Sequence, residues 1–304
     1  MVSTSPLTWQ LALMMAVPQM LWAGNAVVGR LMGPLVPPLT LNFMRWTLAL
    51  VILLPLAAQV LRRGSGLWTH APRFALLGFL SIGAYNALQY QALQTSTALN
   101  VTLVGSSMPM FMLTLGALFF GQRAQGRQVL GALLSMGGVA LVLSHGDLSR
   151  LAQVAFVPGD LYMLVATGVW AVYSWMLAET RRDPPGMRAD WAAYLLAQVV
   201  PGVAWAGLFA AGEQTLGHPV PIQWGWPLAA ALVFIAAGPA VLAYRLWGLG
   251  VQRLGPNLSG FFANLTPLFA ALLSVVFLGE IPGWHHALSF LLIAGGIAVS
   301  SRRS

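Results

Sequence analysis

Apolar stretches close to twenty residues long recur from one end of the chain to the other, and few charges interrupt them. A helix rises about 1.5 Å per residue, so each stretch covers the roughly 30 Å of hydrocarbon in a bilayer. Ten such spans are expected, approximately Trp9–Leu31, Thr40–Leu61, Phe74–Leu93, Leu99–Phe120, Gln128–Ser144, Leu161–Ala178, Trp191–Ala211, Trp226–Gly250, Leu258–Leu278 and His286–Ser300. Inside lipid each segment must satisfy its own backbone polar groups, which selects helices, and the sequence has none of the alternating short strands of a barrel. Composition points the same way. Charged residues are 7% of the 304, where soluble domains carry about 25%. The fold class expected is an all-α membrane protein with ten transmembrane helices.

The basic balance, 15 Lys+Arg against 7 Asp+Glu, raises the question of a nucleic-acid partner. Every basic residue is an arginine, set singly or in small groups between apolar runs, so no basic surface is assembled and no nucleic acid is expected. The arginines read instead as topology determinants. With the N-terminus cytoplasmic, Arg62, Arg63, Arg73, Arg123, Arg127, Arg181, Arg182, Arg188, Arg253, Arg302 and Arg303 all fall on the cytoplasmic side. Only Arg30 and Arg150 fall opposite, so both termini are expected inside a bacterial-type inner membrane. The first eight residues lack Lys and Arg, and the first apolar run reads as a retained span rather than a cleaved signal. With no cysteine, neither disulfide nor thiol chemistry is expected.

The chain repeats itself. Pro109 matches Pro267, Gly121 matches Gly279, and Gly137-Gly138 match Gly295-Gly296, all at one separation of 158 (267 − 109). Leu21-Trp22-Ala23 matches Val169-Trp170-Ala171 at 148 (170 − 22), so the second half is longer somewhere before its fourth helix. Two units are expected, residues 9–145 and 158–303. Five spans per unit is an odd number, which turns the second unit over in the membrane. Equivalent turns agree: GQRAQGR carries two arginines, whereas GEIPGWHH carries Glu280 and none. Inverted repeats of this kind build carriers with a substrate site at the repeat interface near mid-membrane.

The two halves resemble the EamA-type domains of the drug/metabolite transporter superfamily. The resemblance rests on Leu21-Trp22-Ala23-x-Asn25, Pro38-Leu39-Thr40 followed by Arg45, Ser107-Met108-Pro109, Leu278-Gly279-Glu280 and the Gly-Gly pairs. It covers essentially the whole chain and implies ten helices in two inverted five-helix repeats around a central cavity. Gly121-Gln122 stands where the pattern usually has Gly-Glu, and the second repeat has no arginine equivalent to Arg45. Within the superfamily the chain is similar in character to bacterial exporters of amino acids, aromatic ones included.

Polar side chains inside spans are costly and point to a pathway. Tyr85, Asn86, Gln89 and Tyr90 share the third span, with Tyr85 and Gln89 on one face. Gln19, Trp22 and Asn25 stand at helical spacing in the first span, Trp170 and Tyr173 in the sixth, Ser106 and Ser107 in the fourth, and Asn264 in the ninth. These are expected to line an aromatic cavity with a few amides and hydroxyls. Helix packing or an interfacial belt is the competing reading for each aromatic, and Trp9, Trp68, Trp191, Trp224 and Trp226 are assigned to the belt. Arg45 is placed about five residues into its span, where it snorkels or caps carbonyls, with contact to a substrate carboxylate as the alternative. Arg245 reads as a second snorkelling anchor. Pro109, Pro239 and Pro267, with Pro18, are hinge candidates. The Gly-Gly pairs read first as packing within the fold, so a monomer is expected and a homodimer seam is the alternative.

No Asp or Glu lies mid-span, which favours facilitated or otherwise driven transport over a buried-carboxylate proton antiporter, although Asp160 or Glu179 at span ends could titrate. The reading is therefore an exporter of small metabolites, amino acids first, with a drug or nucleotide-related exporter of the same fold as alternatives. An intramembrane enzyme would need paired carboxylates, a Ser–His dyad or a histidine zinc site; the five histidines fall in loops or at span ends, and adjacent His285 and His286 are expected to diverge. A channel would need a ring of charges or a filter loop. No metal or cofactor is expected.

Overall fold

The computed structural model describes residues 6–96, 98–153, 156–216, 221–278 and 283–301. Gly279, Glu280, His218, Arg302 and Arg303 lie outside these, as does the side chain of Arg30. Among the described residues the chain is helical with no strand. The first half comprises α1 (Trp9–Met32), α2 (Pro38–Ala57), α3 (Ala71–Gly78), α4 (Tyr85–Thr95), α5 (Ala98–Gly105), α6 (Met108–Phe119) and α7 (Gly126–Leu143). The second comprises α8 (Pro158–Ala178), α9 (Trp191–Leu216), α10 (Trp226–Ile235), α11 (Ala243–Phe262), α12 (Leu265–Leu278) and α13 (Trp284–Ser301).

Ten crossings emerge once the interruptions are joined. A π-helical segment, Phe79–Ala84, links α3 to α4 in the third crossing, and another, Ala236–Leu242, links α10 to α11 in the eighth. The fourth crossing breaks at Ser106-Ser107 between α5 and α6, and the ninth at Ala263-Asn264 between α11 and α12. Both kinds of defect recur at a separation of 157 (236 − 79 and 263 − 106), one residue from the 158 that separates the matched prolines and glycines. The turn between the eighth and ninth crossings falls inside α11, where Gly255 adopts φ 79° ahead of Pro256. Only glycine takes that left-handed conformation at low cost, and proline cannot continue the preceding helix. Eight segments are individually long and apolar enough to span a membrane. The third and ninth fail that test because polar residues and the backbone breaks divide them.

Packing follows a two-fold exchange of halves. α2 packs on α9 and α7 on α13, each joining equivalent helices. α1 packs on α11 just as α8 packs on α4, and α1 on α12 just as α8 packs on α6. The α7–α13 seam explains the glycines: a Cβ on Gly131 would sit 2.6 Å from the Gly296 carbonyl oxygen, and one on Gly296 2.5 Å from that of Gly131. A Cβ on Gly138 would sit 2.9 Å from the Ser289 carbonyl, the related contact. Gly137 and Gly295 face open space. One glycine of each pair is thus used inside the fold.

Two polar contacts tie the halves together at opposite ends. At the arginine-rich end Asp183 accepts from Arg73 Nε at 2.6 Å and from Arg188 Nε, while Arg73 also caps α8 by donating to the carbonyls of Met176 and Glu179. At the other end α2 begins after Pro37, which offers no side-chain cap, and Glu213 of α9 accepts from the backbone N–H groups of Leu39 and Thr40 at 2.9 and 2.7 Å. The helix N-terminus, positive and with orphan donors, is where a carboxylate fits.

Candidate functional site in the membrane interior

Where α1 and α8 cross, Trp22 and Trp170 meet edge to face with centroids 5.4 Å apart. They are the pair matched by the repeat. Tyr85 of α4 lies 4.8 Å from Trp170, Tyr173 lies 5.1 Å from it, and Trp247 of α11 lies 5.6 Å from Trp22. Tyr244 touches both tryptophans and Trp46. Edge-to-face contacts of this kind add about 0.5–1.5 kcal/mol each beyond buried area. The polar ends are used: Trp22 Nε1 donates to the Pro239 carbonyl of the π-helical segment, Trp247 Nε1 to Ser174, Tyr244 to the Ser81 carbonyl, and Tyr173 to Gln198 at 3.1 Å.

Below this cluster a cavity of about 220 Å³ reaches from Tyr173, Gln198 and Tyr244 to Arg188 and Trp191 at the arginine-rich end. Arg245 lies over the Trp191 ring at 4.3 Å, and Arg188 over Tyr194 at 4.6 Å. Trp191 is therefore a cavity wall carrying a cation–π contact, and Arg245, exposed at this end, packs over its ring. The belt assignment holds by exposure for Trp9, Trp68, Trp224 and Trp226.

On the other side of the cluster stands Arg45. The helix starts at Pro38, two residues before the span read from sequence, so Arg45 lies a full two turns in and is only 4% exposed. Snorkelling is corrected: its Nη1 donates to Asn25 Oδ1 at 3.2 Å, and its Nη2 to Asn42 Oδ1 and Asn86 Oδ1, both at 3.1 Å. Nε has no partner, and among the described residues no carboxylate pairs with this guanidinium. A buried cation ordinarily needs a counter-charge, because desolvation costs several kcal/mol. Three amide dipoles stand in for one here.

The structure brings together Trp22, Tyr85, Trp170 and Tyr173, with Asn25 joined to Arg45. Gln89 and Tyr90 lie half-buried farther along α4. Gln19 and Asn264 are instead taken up by interhelical bonds: Gln19 accepts from Thr266 at 2.9 Å, and Asn264 donates to Ser135 at 2.9 Å. Ser107 donates back to the Val104 carbonyl at the helix break. Gln19 and Asn264 thus join helices while Gln19 Nε2 and Asn264 Oδ1 stay without a partner. Pro109 and Pro267 open the helices that follow the two breaks, and Pro239 lies inside a π-helical segment. His285 and His286 do not diverge; their rings lie 4.2 Å apart, with His145 5.8 Å from His285. Sequence reasoning missed Trp46, Tyr244, Trp247 and Gln198. The repeat held a signal for two of them, since Tyr244 stands 158 after Asn86 (244 − 86) and Gln198 stands where the second half lacks its arginine.

Comparison with known proteins agrees with this architecture. An uncharacterised transporter of Archaeoglobus fulgidus is 25% identical over 96% of this chain and 97% of its own. The aromatic amino acid exporter YddG of Ancylobacter novellus is 26% identical over 93% of each chain. A crystal structure superposes with a TM-score of 0.73 over 96% of both chains at 23% identity, which speaks for the fold. The profile of the EamA-like transporter family matches twice, over residues 9–144 and 157–302. Two copies filling almost the whole sequence, in the two halves that the Trp22–Trp170 contact joins, make this chain a membrane transporter of the EamA-like family.

Proposed function

We propose that the protein exports small metabolites, amino acids first, aromatic or otherwise neutral, by alternating access through its centre. The observation that carries this is the aromatic cluster around Trp22 and Trp170, flanked by guanidinium groups on both sides and by no mid-span carboxylate. Aromatic faces accept an apolar side chain, and arginines favour a substrate that brings its own carboxylate. The relative named as an aromatic amino acid exporter supports the same substrate class. Arginines lining the cavity disfavour cationic drugs.

The two units, residues 9–145 and 158–303, sit inverted in a bacterial-type inner membrane with both termini cytoplasmic, the arginine-rich end facing the cytoplasm. The cavity then opens to the side from which an exporter loads. Glycines used at the α7–α13 seam support a monomer. Counterflow of a panel of labelled amino acids in proteoliposomes tests the function: saturable, competable exchange is expected, and non-saturating flux would mean a channel. For orientation, Ser304→Cys should react with an impermeant maleimide only from the cytoplasmic side. Labelling only from outside would reverse it.

A further inference from the structure

The cavity below the aromatic cluster is lined by the second half alone, from α8, α9, α11 and the turn before α9. Inverted halves should own equivalent cavities, one opening to each side. The correspondence between helices is fixed by their landmarks. α8 follows α1 by 148 (170 − 22), α9 follows α2 by 153 (first residues, 191 − 38), and α11 follows α4 by 158 (first residues, 243 − 85). Carried across, Tyr173 falls on Asn25, Leu195 on Asn42, Gln198 on Arg45 and Tyr244 on Asn86. A hydrogen bond joins the equivalent pair in each half, with donor and acceptor exchanged. Tyr173 donates to Gln198 in the second half, and Arg45 donates to Asn25 in the first.

So residues that line the cavity in one half correspond, in the other, to the Arg45 cluster. We propose that Asn25, Asn42, Arg45 and Asn86 form the counterpart cavity when the protein opens to the other side, and that the Arg45 guanidinium receives the substrate carboxylate there. This rests on the amino-acid exporter reading above and adds the group that recognises the acid.

One contrast favours a ligand role over a purely structural one. Arg73 and Arg188, also well buried, share the carboxylate of Asp183. Arg45 is held by three amides and the face of Trp46, with no carboxylate among the described residues and with Nε left without an acceptor. A guanidinium has five N–H donors, and neutral amides hold fewer than all of them. A substrate carboxylate adds the missing opposite charge and can take two parallel bonds from the guanidinium, so displacing the asparagines is favourable and leaves no anion stranded. Transport also needs the site to release its cargo, and three amides can close back over the cation to complete the cycle.

The test is counterflow in proteoliposomes with two matched probe pairs, L-tryptophan with tryptamine and L-leucine with isoamylamine. Each pair shares a side chain and differs in the carboxylate. Wild-type protein should exchange at least one amino acid and neither amine. Arg45→Gln should cut that exchange by about tenfold or more, the loss expected for bonds to a charged group, and Arg45→Lys should restore part of it. Asn25→Asp supplies a permanent carboxylate beside the guanidinium; it should melt at or above the wild-type temperature yet lose exchange to the same extent. That combination cannot arise from misfolding. Amines exchanged as well as their amino acids, or full exchange by Asn25→Asp, would overturn the carboxylate site and leave the exporter standing. No saturable exchange of any amino acid by the wild type would overturn the exporter reading and this site with it.

Discussion

Trp170 is 4% exposed and touches Trp22, Tyr85, Tyr173, Tyr244 and Trp247, so its indole is shared by helices of both halves. Replacing it with alanine removes rings that the two halves use to close on each other. Trp170→Ala and Tyr85→Ala should each lower exchange by about tenfold or more while membrane expression stays near wild type, since folding here relies on many other contacts. Wild-type exchange in both variants would remove the aromatic cluster from the pathway. These residues were legible because aromatics and amides at helical spacing within apolar spans stand out. Tyr244, Trp247 and Trp46 were not, because a buried indole and an interfacial one look alike in sequence. Arg45 was misread for a specific reason: α2 starts two residues before the span read from sequence, where Glu213, distant in sequence, accepts from its first N–H groups.

At the scale of helices, the spans were read to within a few residues but their interruptions were not. A π-helical segment adds one residue to a turn and leaves no mark that composition reveals. The structure places both such segments beside the aromatic cluster: the Ser81 carbonyl of the first accepts from Tyr244 and the Pro239 carbonyl of the second from Trp22. Two substitutions probe the elements directly. Glu213→Ala should destabilise by about 1–2 kcal/mol, the usual worth of a helix cap, seen as a lower melting temperature in detergent. An unchanged midpoint would mean that water replaces the cap. Gly131→Leu forces side-chain atoms into the Gly296 backbone and should cost about 1–3 kcal/mol or more, whereas Gly137→Leu, facing open space, should be close to neutral. Equal effects at the two glycines would contradict the α7–α13 seam.

For the molecule as a whole, the matched prolines and glycines were the strongest sequence signal, and the repeated π-helical segments and helix breaks deepen it. What no single sequence carries is which of two conformations is populated, because inverted halves allow either half to be the open one. Here a cavity lies within the second half, and in the first the equivalent positions hold Arg45 between three asparagines. The account therefore predicts reciprocity, and the chain's lack of cysteine makes it measurable. Leu177 lines the cavity, and Gly29 is its counterpart at 148 (177 − 29), with space for a side chain. Single variants Leu177→Cys and Gly29→Cys should react with impermeant maleimide from opposite sides of the membrane. An outwardly directed amino-acid gradient should raise the reactivity of one as it lowers that of the other. Simultaneous reactivity of both, unmoved by any gradient, would contradict alternating access between inverted halves.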